Sequence, residues 1–333
     1  MRIWLLLCWV LMTLVPIQAN ASDIRPQIIN GDRANVNDYA SFASLFLYLT
    51  PNYYSTQSFC GATIINQRFA MTAAHCVVGN EEVLKYTVVA PQVADERDFP
   101  NGNVQFVRIK AFYYPDNFVD RAPFANDIAL LEFDQPLNTS DYSYLFNFSI
   151  NDVYPTSGEY ITIGHGLTYG TEPSGSTSTT LLETKLTFVD KTRCRNDFYP
   201  LVTNSQICFD GALDPGDDYK HATCSGDSGG PVYLLDGGVY RQIGLTSYGP
   251  VTCGNKDLDV VSVFTEISEF KNWIQNVMAG NVTAKFYVAT VDGQRVVSAG
   301  TPVVIPSRSS GGGGSIGFLV LFCLCGITLL FRK

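Results

Sequence analysis

Apolar and polar positions alternate in short runs along most of this chain, which is the pattern of half-buried strands. The runs fall at Ser44 to Leu49, Gly61 to Ala70, Tyr86 to Ala90, Gln105 to Phe112, Ile128 to Phe133, Glu159 to Ile163, Thr184 to Val189, Pro231 to Leu235, Arg241 to Ser247 and Val260 to Thr265. Turns rich in Gly, Pro, Asn and Asp separate them, so the pattern predicts an all-β sandwich or barrel. One amphipathic helix is predicted late, from Ser268 to Met278, with Phe270, Trp273, Ile274 and Val277 on one face. No internal repeat is present. Residues 281–306 alternate again around Asp292-Gly293, a hairpin turn signal. A lone hairpin is marginal in water, so this segment either packs on the main domain or serves as a semi-extended stalk.

The two ends read differently. Residues 1–21 combine a basic start at Arg2, an apolar run from Ile3 to Val15, Pro16 and the triplet Ala19-Asn20-Ala21, the signature of a secretory signal peptide cut after Ala21. At the other end a Ser/Gly-rich linker, 307–315, leads into a nearly apolar run, Ile316 to Phe331, closed by Arg332-Lys333. That run is near the lower length limit for a membrane span, and the basic pair favours a cytoplasmic C-terminus. The expected organisation is a signal peptide (1–21), a short propeptide (22–27), a main β domain (28–279), a hairpin or stalk (280–306), a linker (307–315) and a membrane or sorting tail (316–333).

With 333 residues, 46% of them hydrophobic and 16% charged, the chain suffices for a sizeable core without a cofactor. A net charge of -9 and the lack of a Lys/Arg cluster exclude a nucleic-acid partner. Export places the mature chain where disulfides persist. Of nine cysteines, Cys8 leaves with the signal and Cys323 and Cys325 lie in the tail; Cys60, Cys76, Cys194, Cys208, Cys224 and Cys253 remain, with fifteen possible pairings. His75, His165 and His221 are scattered and make no metal site. Asn138, Asn147 and Asn281 open glycosylation triplets that matter only in a eukaryotic host.

Three stretches carry chemistry: Thr72-Ala73-Ala74-His75-Cys76, Asn126-Asp127-Ile128-Ala129-Leu130 and Gly226-Asp227-Ser228-Gly229-Gly230-Pro231. A serine hydroxyl is a poor nucleophile near neutral pH, so Ser228 needs a base, and His75 can take its proton and later hand it to a leaving amine. Asp127 would orient the imidazole. The glycines beside Ser228 allow a sharp turn in which the N–H groups of Gly226 and Ser228 face one spot, an oxyanion hole.

In this order the three stretches resemble the chymotrypsin/trypsin family of serine peptidases. The resemblance implies two six-stranded antiparallel β-barrels with a C-terminal helix, a catalytic triad of His75, Asp127 and Ser228, and disulfides Cys60–Cys76, Cys194–Cys208 and Cys224–Cys253. It also implies a zymogen. Ile28-Ile29-Asn30-Gly31 looks like the segment whose new ammonium inserts beside the Asp before the nucleophile, here Asp227. The family's usual Arg or Lys before that cut is replaced by Gln27, which leaves the activating protease open. By the same resemblance the specificity pocket is based on Ala222 and walled by Gly249 and Ser262, while Ser247, Tyr248 and Gly249 pair with the substrate backbone. An uncharged base implies a medium or large apolar residue before the cleaved bond. Asp214, Asp217 and Asp218 lie on the preceding loop, within reach of altering that preference.

The tail resembles the GlyGly-CTERM sorting signal of exported bacterial proteins, which a membrane protease removes; a permanent anchor and a lipid-anchor signal are the alternatives. The sequence thus implies an exported serine endopeptidase, extracellular or attached to the cell surface, acting on proteins or peptides. The competing function is a catalytically silent surface binder on the same scaffold.

Overall fold

The computed structural model describes residues 28–137, 154–168, 178–197 and 202–303. The signal peptide and propeptide, the linker and tail, and the triplets at Asn138 and Asn147 lie outside these residues. Among the described residues no helix is long and apolar enough to cross a membrane.

The first half contains β1 (Asp32–Arg33), β2 (Phe42–Thr50), β3 (Tyr53–Tyr54), β4 (Cys60–Asn66), β5 (Phe69–Thr72), a helical turn α1 (Glu81–Leu84), β6 (Thr87–Pro91), β7 (Val107–Tyr113) and β8 (Ala129–Phe133). Antiparallel pairing runs β7-β6-β2-β4-β5-β8, and β7 also pairs with β8, which closes a six-stranded barrel. The second half contains β9 (Glu159–Gly164), β10 (Leu182–Val189), α2 (Lys191–Asp197), β11 (Gln206–Gly211), β12 (Pro231–Asp236), β13 (Val239–Tyr248) and β14 (Ser262–Glu266). Its order β10-β11-β14-β13-β12-β9 is closed by β9 pairing with β10. Two six-stranded antiparallel barrels followed by helix α3 (Lys271–Met278) are the architecture expected. Closure removes the exposed strand edges that open sheets must otherwise protect.

Some strands depart from the sequence pattern for physical reasons. The run expected from Gly61 to Ala70 breaks into β4 and β5, because Asn66 Oδ1 accepts the N–H groups of Arg68 (2.7 Å) and Phe69 (3.0 Å) and turns the chain. The strand β11 was not predicted. Gln206, Ile207, Cys208 and Phe209 are all buried, so this strand has no polar face to supply an alternation.

Each barrel fills its own interior, and α3 joins them. Tyr160, Phe209 and Phe264 are fully buried in the second barrel, with Phe209 meeting Phe264 edge to face at 5.2 Å. On α3, Ile274 and Val277 pack in one cluster with Met71 and Leu130 of the first barrel and Leu245 of the second. After α3, β15 (Phe286–Val291) and β16 (Gln294–Ala299) form a hairpin turned at Asp292 (φ 48°) and Gly293 (φ 80°). Through Phe286 and Tyr287, β15 pairs with Phe112 and Ala111 of β7.

The edge-to-face packing gives a stability test. Phe264→Ala should lower unfolding free energy by roughly 3 to 5 kcal/mol, the range for emptying a buried phenyl site. Urea denaturation of the folded chain measures it.

Candidate active site

The turn at residues 74–76 follows β5 directly and presents His75, while the disulfide Cys60–Cys76 holds that turn to the start of β4. Asp127 sits just before β8 and has no exposed surface. A carboxylate taken out of water must be met by donors, and Asp127 has three. His75 donates its backbone N–H to Oδ1 (2.9 Å), its ring Nδ1 lies 2.7 Å from Oδ2, and Ser247 Oγ donates to Oδ2 at 2.5 Å. With Nδ1–H directed at the carboxylate, Nε2 is the nitrogen left to accept a proton. Thr265 Oγ1 donates to the backbone carbonyl of Asp127 (2.7 Å) and fixes its chain position.

Ser228 lies on a tight turn between Cys224 and Pro231. Gly230 N–H returns to Asp227 O (2.9 Å), Gly229 N–H reaches Thr246 O (2.8 Å), and Gly61 N–H reaches Ser228 O (2.8 Å). The last bond joins the serine to the strand that Cys60 starts, and so to the His75 turn. Gly229 (φ 73°) is obligatory here, since a methyl group would overlap Thr72 Oγ1 and crowd Gly61 O. The N–H groups of Gly226 and Ser228 donate to no described residue. Ser228 Oγ likewise hydrogen-bonds no described residue in this conformation, His75 Nε2 included. Catalytic hydrogen bonds are often long or misaligned without substrate.

A cleft of about 500 Å³ opens beside Ser228, lined among others by Thr223, Ser225, Ser247, Tyr248, Gly249 and Val251. Ala222 and Ser262 do not line it. Both have no exposed surface, and Thr223 stands at the wall in their place, donating its hydroxyl to Ser262 Oγ (2.9 Å) and its N–H to the same oxygen (3.1 Å). Of the pocket residues expected from the sequence, Ser247, Tyr248 and Gly249 line the cleft, and Thr223 lines it next to Ala222 in the chain. Among the described residues no acidic side chain lines the cleft. Asp214 faces His221 Nε2 (3.1 Å) and Asp218 faces Lys256 (3.5 Å) instead.

Asp227 is fully buried. It accepts N–H groups from Gly166 (2.8 Å) and Cys224 (2.9 Å), and among the described residues no cation pairs with it. Burial pushes its carboxyl up to about 7. The fit is close, since a methyl group on Gly164 or Gly166 would overlap the carboxylate. Ile28 and Ile29 are buried too, and Ile29 bridges to Ala222 and packs with Leu167, Cys224 and Cys253. The segment expected to be a new N-terminus thus lies beside the Asp227 loop, although the chain continues into residue 27.

The remaining histidines are engaged elsewhere. His165 Nε2 is 3.1 Å from Val93 O, and burial pulls its imidazole down to about 4. His221 Nδ1 meets Thr184 Oγ1 at 2.6 Å. Cys60, His75 and Cys76 bring ligand-type atoms within 4.8 Å of one another. Both sulfurs are committed to a disulfide, whereas a metal needs thiolates. The other two expected disulfides, Cys194–Cys208 and Cys224–Cys253, are also formed. Three contributors were not singled out from sequence: Ser247 as a donor to Asp127, Thr265, and Phe124, whose ring lies 5.6 Å from His75 and 6.0 Å from Tyr248. Only Asn126-Asp127 marks this loop in the sequence.

Two closed antiparallel barrels with an imidazole–carboxylate pair and a serine-bearing turn between them define the chymotrypsin-like class. A model of the Trypsin family matches residues 28–274. Among curated relatives, human chymotrypsin-like elastase family member 1 is 31% identical over 268 residues, covering 77% of this chain and 93% of its own length. Snake venom serine proteinase 8 of Crotalus adamanteus is 29% identical over 266 residues, covering 77% and 89%. The chain belongs to the trypsin family.

A further buried carboxyl offers a test of the electrostatics. Glu96, 1% exposed, accepts Ser58 N–H (2.9 Å), and burial raises it to about 7 from 4.5. A group raised on folding gives its full stability below the unfolded value and loses it as pH climbs through the folded one. Melting temperatures of Glu96→Gln and the parent should therefore match most closely near pH 4. The variant should gain on the parent as pH rises to 8.

Proposed function

We propose that this chain is an exported serine endopeptidase that cleaves peptide bonds through an acyl-enzyme. The observation carrying the proposal is the buried Asp127 carboxylate 2.7 Å from His75 Nδ1, beside a serine turn with two uncommitted N–H groups. His75 Nε2 takes the Ser228 proton as Oγ attacks the substrate carbonyl, and Asp127 stabilises the imidazolium that results. The N–H groups of Gly226 and Ser228 receive the oxyanion. His75 then protonates the leaving amine, and water repeats the sequence to release the acid. Membership of a peptidase family, with relatives named as elastase and venom proteinases, supports proteins or peptides as substrates.

The residue before the cleaved bond is apolar and of medium or large size. In support, no acidic side chain lines the cleft among the described residues, Gly249 leaves one wall low, and the Thr223 hydroxyl is engaged on Ser262. The chain is made as a zymogen and activated before Ile28, whose new ammonium supplies Asp227 with the cation it lacks. A buried carboxylate deprived of a partner is unfavourable by several kcal/mol, enough to couple the cut to the Ser228 turn. The signal peptide is removed after Ala21. The tail serves as a sorting signal that a membrane protease cuts, leaving the enzyme outside the cell or on its surface.

Labelling with a fluorophosphonate probe after processing should be strong in the parent and absent in Ser228→Ala, whose kcat should fall by roughly 10⁵ to 10⁶. A correctly processed parent that resists the probe would instead support a surface binder. Mass-spectrometric sequencing of the active form should give Ile28 as its first residue. An active enzyme that begins at Ser22 would refute the activation step.

A further inference from the structure

The family match ends at residue 274, yet the chain after α3 returns to the first barrel. Hairpin β15–β16 is built into that barrel's core: Phe286 and Val288 are 2% and 3% exposed, and Phe286 stacks on Phe112 of β7 with ring centres 4.2 Å apart. Lys285 N–H donates to Phe112 O (2.8 Å) at the hairpin root.

Arg295 on β16 is 7% exposed and reaches two separate segments. Its Nη2 donates to Ile109 O of β7 (2.5 Å) and its Nε donates to Lys85 O (3.1 Å), with Thr290 Oγ1 at 3.4 Å from Nη1. Lys85 ends the stretch that begins at the His75 turn and passes through α1. β7 leads into the loop 114–126 that delivers Asp127. One guanidinium fork therefore spans the segments on which the imidazole and its carboxylate are mounted. The fork is suited to this because its donors are rigidly arranged, and no lysine could reach both carbonyls in the same way.

The hairpin root acts on the same loop. Lys285 pairs with Asp116 and lies over the Tyr114 ring at 5.3 Å. Asn117 O, the next residue's carbonyl, accepts Asn126 Nδ2 (3.0 Å), and Asn126 (φ 61°) immediately precedes Asp127. An exposed ion pair alone is weak. Here it sits at one end of a chain of contacts whose other end is the buried carboxylate.

We infer that hairpin Phe286–Ala299 is a positioning element of the catalytic site, with Arg295 holding the His75-bearing and Asp127-bearing segments in one arrangement. This rests on the peptidase reading for its consequence in rate, but not for its consequence in geometry. The working unit of this protein then extends to residue 299, beyond the part shared with the family.

Full-length chains carrying Arg295→Met and Arg295→Lys are compared with the parent by three measurements. These are steady-state rate per active site titrated with fluorophosphonate, hydrogen exchange of amides 76–85 and 117–126, and the downfield proton resonance of the His75 Nδ1–H. Displacement of catalytic groups by about 1 Å can cost 10²-fold, so Arg295→Met should lose at least about tenfold in kcat with KM little changed. Both amide stretches should exchange faster, the His75 resonance should shift or broaden, and Arg295→Lys should fall between. A melting temperature that drops while rate, exchange in those stretches and resonance stay at parental values overturns the inference and leaves a stabilising brace only. Should Arg295→Met fail to fold, Lys285→Met at the exposed root carries the same comparison for residues 117–126. A parent that never labels refutes the peptidase reading instead, and the exchange and resonance measurements still decide the geometry.

Discussion

A negative charge without access to water is tolerable only where donors converge on it, and in this protein the donors around Asp127 come from both barrels. The first barrel supplies the His75 backbone and ring. The second supplies Ser247 Oγ and, to the backbone carbonyl, Thr265 Oγ1. Separating the barrels would strand the carboxylate. The interface between them is thus defined by an electrostatic requirement as well as by apolar packing, and α3, with side chains in a cluster shared by Met71, Leu130 and Leu245, adds the apolar part.

Asp227 presents the complementary case. Asp127 has side-chain donors from two barrels, whereas Asp227 has two backbone N–H groups and two glycines pressed against it. For Asp227 the two hydrogen bonds offset burial only partly, and its carboxyl is pushed up to about 7. Each acid lies close to a key backbone feature, Asp127 two positions before β8 and Asp227 directly before Ser228. One is met by side-chain donors, and the other has no cation beside it among the described residues.

What could be read in the sequence was local. The residues around His75, Asp127 and Ser228 announce themselves because each stretch holds its own turn chemistry within a few positions, and the barrel strands with one polar face announce themselves by alternation. Contacts made across the molecule leave no such trace. Ser247 is legible as a backbone partner for substrate but not as a donor to Asp127, 120 positions away, and Phe124 lies in a loop with no periodicity. Ala222 and Ser262 were assigned by counting, which gives chain position only, and Thr223, which lines the cleft, carries no signal of its own in the sequence. β11 was missed because burial on both faces erases the signal on which strand reading depends.

Ile28 and Ile29 show almost no surface, and this governs access to the bond that precedes them. A protease must thread several residues on both sides of a bond in extended form through its own groove, and a buried pair cannot be threaded. The proposed cut before Ile28 would be confined to molecules in which the segment leading to Arg33 has momentarily lifted away. For a chain activated in the proposed way, the rate of maturation would then depend on how often that segment lifts as much as on the strength of the cutting enzyme.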